Sequence, residues 1–75
     1  MKTMKRVYKT HDMVVWENEK NKNSSCHIFS IGEDNWFAGT IIDNLDTTIG
    51  EYNSKTQAFK MLQSHMEKIG YTIKI

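Results

Sequence analysis

Five carboxylates in a stretch without cations are the residues of this sequence whose types and spacing could do chemistry. Residues 23–54 contain no Lys or Arg and carry a formal charge of −5. Such a cation-free run could dock on a basic surface, since opposite charge attracts a partner over long distance and speeds the encounter. Solvated acids gathered at hairpin turns, where Asp is favoured anyway, are the simpler interpretation of the same pattern. The five acids are Glu33, Asp34, Asp43, Asp46 and Glu51.

Catalysis by these acids is not expected. Glu33 with Asp34, and Asp43 with Asp46, are paired at turns, but no partner base accompanies them and no phosphate-binding glycine loop occurs. The thiol of Cys26 stands next to His27, and neighbouring strand residues point to opposite faces, which prevents a Cys–His dyad. We therefore expect a protein that is not an enzyme.

A zinc site is not expected either. Its ligands would have to come from Cys26 and three histidines at positions 11, 27 and 65, and none of these shows the paired spacing of zinc ligands. We therefore expect no metal and no cofactor.

Four cations near the N-terminus form a basic arm that could contact phosphates instead. Lys20 and Lys22 could extend the arm, although a basic terminus also serves solubility. The chain has only one arginine, which is poor support for base readout. Nucleic-acid binding is therefore the alternative to protein binding. The arm consists of Lys2, Lys5, Arg6 and Lys9.

Composition limits the class of protein. A chain of 75 residues with 39% hydrophobic residues gives a single domain, 1–75, with a small core. No apolar run is long enough to span a bilayer, and no signal-peptide pattern follows the basic start. Cys26 is the only cysteine, so no internal disulfide can form. These features predict a cytoplasmic protein without membrane contact.

One long helical pattern, at about 54–69, must position these residues. Ser54 and Gln57 have the spacing of a capping box, and Gly70 follows as a C-cap. The apolar face of this helix needs a partner surface. Its residues recur at helical spacing: Ala58, Leu62, His65, Met66 and Ile69, widened by Phe59 and Met61.

Strand-like stretches occur at 13–17, 26–31, 36–42, 47–52 and 71–75. Residues 4–9 are either a first strand or a frayed terminus, and 4–17 could instead form one long strand bent near His11. Both faces of 36–42 are apolar, which predicts a central strand, and Gly39 marks a bulge or a close backbone approach. The pattern predicts an α+β fold: an antiparallel sheet of four to five strands with the helix packed on one face.

Several aromatic residues exceed what one helix-covered face readily absorbs. An uncovered sheet face would offer them as anchors for a partner or for a second copy in a homodimer. Trp36 is a candidate for partner binding, although core packing is the favoured interpretation for this residue. The aromatic residues in question are Trp16, Trp36, Phe37 and Tyr52.

The helix entry, which follows a strand that begins at Trp36, resembles the sheet-then-helix half of double-stranded-RNA-binding domains. Three residues carry this resemblance: Ser54, Lys55 and Ala58. The same half is similar to the sheet-plus-helix DNA-binding domain of some phage integrases, in which basic residues on the sheet read DNA. Residues 23–54 have no such basic residues. Both resemblances imply nucleic-acid binding.

In type rather than in motif, the chain resembles small phage-encoded inhibitors of host defence, anti-CRISPR proteins among them. That resemblance implies a non-enzymatic inhibitor in the host cytoplasm whose acidic side chains cover a nucleic-acid-binding surface of a partner protein. The expected function is therefore protein binding through Glu33, Asp34, Asp43, Asp46 and Glu51 together with Trp36.

Overall fold

Six β-strands and one α-helix make up the computed structural model, which describes residues 2–74. The fold is α+β, as the sequence predicts. Its elements follow in chain order: β1 (Lys2–Lys9), β2 (Met13–Asn18), β3 (Ser25–Ser30), β4 (Trp36–Ile42), β5 (Leu45–Tyr52), α1 (Lys55–Lys68) and β6 (Tyr71–Lys74).

All six strands belong to one sheet, in the order β5-β4-β3-β2-β1-β6. The first five strands are joined by hairpin connections and pair antiparallel. β6 pairs parallel with β1, because α1 carries the chain back across the sheet before β6 begins at the far edge. The prediction of a purely antiparallel sheet of four to five strands was therefore wrong in strand number and in the direction of the last pair.

The N-terminal residues form a full strand rather than a frayed end, since β1 is paired on both sides. A turn at 10–12 separates β1 from β2, with the Thr10 N–H donating to the Met13 carbonyl at 2.7 Å. The alternative of one bent strand over 4–17 is thereby excluded. A register shift between Arg6 and Tyr8 marks a bulge in β1.

A two-residue turn joins β4 to β5. Asp43 and Asn44 have φ values of 51° and 69°, the left-handed region that both central residues of a type I′ turn adopt. Asp and Asn tolerate this region better than most other residues do. Because the turn has only two residues, β5 begins at Leu45, two residues before the predicted stretch 47–52.

Helix α1 begins and ends as its capping residues predict. The Ser54 hydroxyl accepts a hydrogen bond from the Gln57 backbone N–H at 3.1 Å. Gly70 has a φ of 91° just after the helix, and its N–H donates to the Glu67 carbonyl at 3.2 Å. A left-handed residue at this position lets the chain leave the helix and enter β6 directly.

The core lies between α1 and one face of the sheet. Ala58, Leu62 and Met66 are fully buried along the inner side of the helix. His65 is half-buried. Met61 and Ile69 are 43% and 44% exposed, so the prediction that they lie on the buried face of the helix was wrong. The sheet contributes the other buried apolar side chains: Met4, Val14, Trp16, Cys26, Ile28, Trp36, Ala38, Tyr71 and Ile73.

Candidate functional site

The side of the sheet that faces away from α1 is covered by no other element within residues 2–74. Residues directly opposite each other on paired strands share a face. Ile28 pairs with Ala38 in the core, so the next pair, Phe29 with Phe37, lies on the uncovered side. We call this side the open face.

A row of rings crosses the open face on β3 and β4. The rings of Phe29 and Phe37 stack with their centroids 5.4 Å apart, and the His27 ring lies 5.7 Å from Phe29. Val15 pairs with His27 and Ile41 follows on β4, which extends the apolar surface on both sides. All five residues are half-buried within the protein's own sheet, so their outer surfaces remain available to a partner.

The uneven charge of the sequence divides the sheet into two halves, one without cations and one that contains lysines. The cation-free residues 23–54 contain β3, β4 and β5, which are adjacent strands. On the open face of this half, Asp46 pairs with Ile41 and Glu51 pairs with Phe37. We define the acidic half-face by these pairs together with Phe29. The other half carries Lys5 and Lys74 side by side on β1 and β6.

The predicted acidic residues do not form one row. Glu33 and Asp34 lie in the turn after β3, whereas Asp43 lies in the turn after β4, at the opposite end of the sheet. The seven residues of β4 separate the two turns, which at about 3.3 Å per residue is roughly 23 Å. Asp43 also accepts a hydrogen bond from the Asn21 side-chain amide at 3.4 Å.

Trp36 is a core residue and not an exposed anchor. Its side chain is 8% exposed, and the ammonium of Lys55 lies 5.7 Å from the centre of its ring. Trp16 and Tyr52 also pack in or against the core, which leaves Phe37 alone of the four predicted aromatics on the open face. Phe29 was missed in the sequence, because only its register with Phe37 reveals the shared face.

The basic arm is divided between the two sides of the sheet. Lys5 pairs with Glu17, which places it on the open face. Arg6 pairs with Trp16 and Lys9 with Val14, so both lie on the side of the helix. The ammonium of Lys2 lies 5.3 Å from the ring centre of Tyr71, a residue of the core. The arm therefore does not present one continuous basic surface.

Cys26 and His27 lie on opposite faces, as strand alternation predicts. Burial raises the pKa of the Cys26 thiol to about 12, so this thiol stays protonated near neutral pH. Burial also lowers the pKa of His27 below 6.5, and the Asp46 carboxylate partly opposes this shift. Neutral His27 therefore joins the two phenylalanines as a third, largely uncharged ring.

Neither a metal cluster nor a membrane-spanning helix is found between residues 2 and 74. No three of the His, Cys, Asp and Glu side chains there are placed to hold an ion together, and α1 is too short and too polar to cross a bilayer. Comparison of the chain with protein families, with curated proteins and with solved structures finds no match.

Proposed function

We propose that this protein is a non-enzymatic binding module that docks its acidic half-face on a basic protein. The observation that carries the proposal is the stacked pair Phe29–Phe37 on the open face, bordered on β5 by Asp46 and Glu51. An apolar centre with charges at its rim is the usual arrangement of a protein-binding surface. Aromatic anchors supply affinity, and the carboxylates select a cationic partner.

The partner that best fits this surface carries a basic patch of the kind that holds phosphates. β3, β4 and β5 have no Lys or Arg that could oppose such a patch. A protein that covers a nucleic-acid-binding surface inhibits its partner without chemistry of its own. The function we propose is therefore inhibition of a basic, nucleic-acid-binding protein in the cytoplasm, as a phage-encoded inhibitor would perform it.

Affinity capture with a set of matched variants tests this proposal. The wild-type protein should retain a basic, nucleic-acid-binding protein from a bacterial lysate, and added DNA or RNA should compete with that capture. Asp46→Lys with Glu51→Lys, and separately Phe37→Ser, should abolish capture. Glu67→Lys, at an exposed acid of α1, is the matched control and should leave capture unchanged.

A second set of variants compares the contribution of the acidic half-face to capture with that of the acids in the turns. Glu33→Lys, Asp34→Lys and Asp43→Lys change three acids that lie outside the half-face, and their effect should be smaller than that of Asp46→Lys with Glu51→Lys. Capture that survives the half-face variants, or that nucleic acid does not reduce, would refute the proposed mechanism. Circular dichroism confirms that each variant folds.

A homodimer is the competing occupant of the open face. A two-fold axis parallel to the strands would place Asp46 of one copy over Lys5 and Lys74 of the other, because the strand register puts these three residues at the same height along the sheet. Edge strands β5 and β6 could also pair between copies. Sedimentation distinguishes these possibilities: a dimer that dissociates with salt and with Phe37→Ser would assign the open face to a second copy.

Nucleic-acid binding remains the second candidate function. One observation favours it: Arg6 and Lys9 line the same cavity as Lys55, a cation at the start of α1. A gel shift with random DNA and RNA at low salt tests this candidate. Loss of a shift in Arg6→Gln with Lys9→Gln would support it, and no shift by the wild-type protein would exclude it.

A further inference from the structure

An open cavity of about 260 Å³ lies on the helix side of the sheet, away from the open face. Residues of β1, β2 and β3 and of the start of α1 line it. The cavity is independent of the proposed docking surface, because the two lie on opposite sides of the sheet. Apolar residues form its floor, and cations stand at its rim.

The floor of this cavity is apolar and largely aromatic. The rings of Trp16 and Phe59 lie 5.5 Å apart and are inclined by 38°. Val14 and Ile28 are 4% and 1% exposed and complete the floor beside them. Trp16 is itself 3% exposed, so the half-buried ring of Phe59 supplies most of the surface that a flat apolar body can contact.

The rim of the cavity carries three cations and no carboxylate. Arg6 and Lys9 come from β1, and Lys55 comes from the first turn of α1. That first turn contains no acidic residue, so the positive end of the helix dipole adds to the three charges. An anionic group at this rim would meet only favourable charge among the lining residues.

A buried donor in the same wall has no partner. The indole Nε1 of Trp16 is inaccessible to solvent and forms no hydrogen bond with any residue from 2 to 74. Most buried indole N–H groups in proteins have a hydrogen-bond partner. Because solvent does not reach this Nε1, the donor offers no direct contact to a ligand in the open cavity, and the rim cations alone recognise an anion.

We propose that this cavity binds a small organic anion with a flat, apolar body, such as an aryl carboxylate or an aryl phosphate. The ring system lies on Phe59 beside the buried Trp16, and the anionic group lies at the rim between Arg6, Lys9 and Lys55. The floor supplies the affinity for the rings, and the rim discriminates the anion from a neutral analogue.

Titration with 2-naphthoate, followed by amide and indole NMR signals, tests the proposal. We expect saturable shifts of the Trp16 indole N–H and of the amides around the cavity. The neutral analogue 2-naphthalenemethanol has the same rings without the charge, and acetate has the charge without the rings. Both should bind at least about tenfold more weakly than 2-naphthoate, because each lacks one half of the recognition.

Two variants and a control complete the test. Arg6→Gln with Lys9→Gln removes two exposed cations and should weaken 2-naphthoate binding about tenfold or more, with little effect on the fold. Phe59→Leu keeps an apolar side chain but removes a ring, and it should weaken binding without changing the preference for the anion. Lys60→Gln, an exposed cation of α1 outside the cavity, should have no effect.

Three results would overturn the proposal. The first is equal binding of 2-naphthoate and its neutral analogue, and the second is a set of shifts that maps to the open face. The third is binding of a single-stranded oligonucleotide through Arg6 and Lys9 with no binding of 2-naphthoate, which would assign the cations to nucleic acid instead.

Discussion

Phe29 and Phe37 face each other across β3 and β4, with their ring centroids 5.4 Å apart and their planes inclined by only 17°. Neither ring contributes to the core, because the pairs Ile28–Ala38 and Ser30–Trp36 on either side turn away from them. An aromatic pair of this kind on an uncovered sheet face is available for binding. Its removal should therefore affect partner binding more than folding.

Stability measurements test whether the Phe29–Phe37 pair matters less for folding than the core does. Phe37→Ala should lower the free energy of unfolding by about 1 kcal/mol, the upper value for a cross-strand pair on one face of a sheet. Ile28→Ala, on the neighbouring residue of the same strand, should cost about 2–5 kcal/mol because Ile28 is 1% exposed in the core. Urea unfolding compares the two. A loss for Phe37→Ala as large as that for Ile28→Ala would show that the pair is structural.

The N-cap of α1 makes a second prediction. Ser54→Ala removes the acceptor of the Gln57 N–H and should lower the free energy of unfolding by about 1 kcal/mol. Ser64→Ala, an exposed serine in the middle of α1, is the matched control and should change stability by less than about 0.5 kcal/mol. Equal losses in the two variants would show that the cap contributes nothing.

The helix was predictable to within a residue because its limits are set by local chemistry. Ser54 satisfies a backbone donor three residues away, and Gly70 takes up a left-handed conformation, so both features can be identified in the sequence. The position of β6 depends instead on where the helix returns the chain. No pattern in residues 71–75 distinguishes pairing with β1 from pairing with another strand.

Of the predicted partner-binding residues, only Asp46 and Glu51 belong to the acidic half-face, and their neighbours there follow from the strand register. Strand alternation puts Phe37 and Trp36 on opposite faces of β4, yet only the β3–β4 register shows that Phe29 joins Phe37. The charge division was visible in the sequence, and the strand order turned it into two halves of one sheet. The expected acidic row fails for a simple reason: successive turns of antiparallel hairpins lie at opposite ends of the sheet.

His27 makes the stability of the protein decrease as the pH is lowered. Burial lowers its pKa in the folded state below the ordinary value of 6.5. Below that value the unfolded chain therefore binds a proton that the folded chain does not bind, which favours unfolding. The contribution of neutral His27 to the free energy of unfolding is fully present above pH 6.5. It is lost as the pH falls from there through the folded-state pKa.

Thermal unfolding of the wild type and of His27→Gln at about pH 7.5 and about pH 5 measures this contribution. The wild type should lose more stability than the variant on acidification, since both share every other titrating group. Asp46→Asn should lower the pKa of His27 further, because the carboxylate raises it. NMR titration of the His27 ring protons follows that shift, and a higher pKa in Asp46→Asn would contradict the assignment.

Gly39 provides the sharpest test of the open face, because its missing side chain makes room for His27. A Cβ at this position would lie 2.8 Å from the His27 Nε2 and 3.2 Å from the Thr47 carbonyl oxygen. The glycine also coincides with the register shift between β4 and β5, so the bulge, one of the two features that the sequence indicates at Gly39, is present. Gly39→Ala should therefore lower the free energy of unfolding by about 1–3 kcal/mol.

A double-mutant cycle identifies the cause of that loss. In a His27→Ala background the ring is gone and only the Thr47 contact remains, so Gly39→Ala should cost less than it does in the wild type. Gly32→Ala is the control: its Cβ would meet the Asn35 side chain at an ordinary 3.7 Å, and little change is expected. If the two substitutions prove additive in urea unfolding, His27 does not lie over Gly39 and the open face is arranged differently.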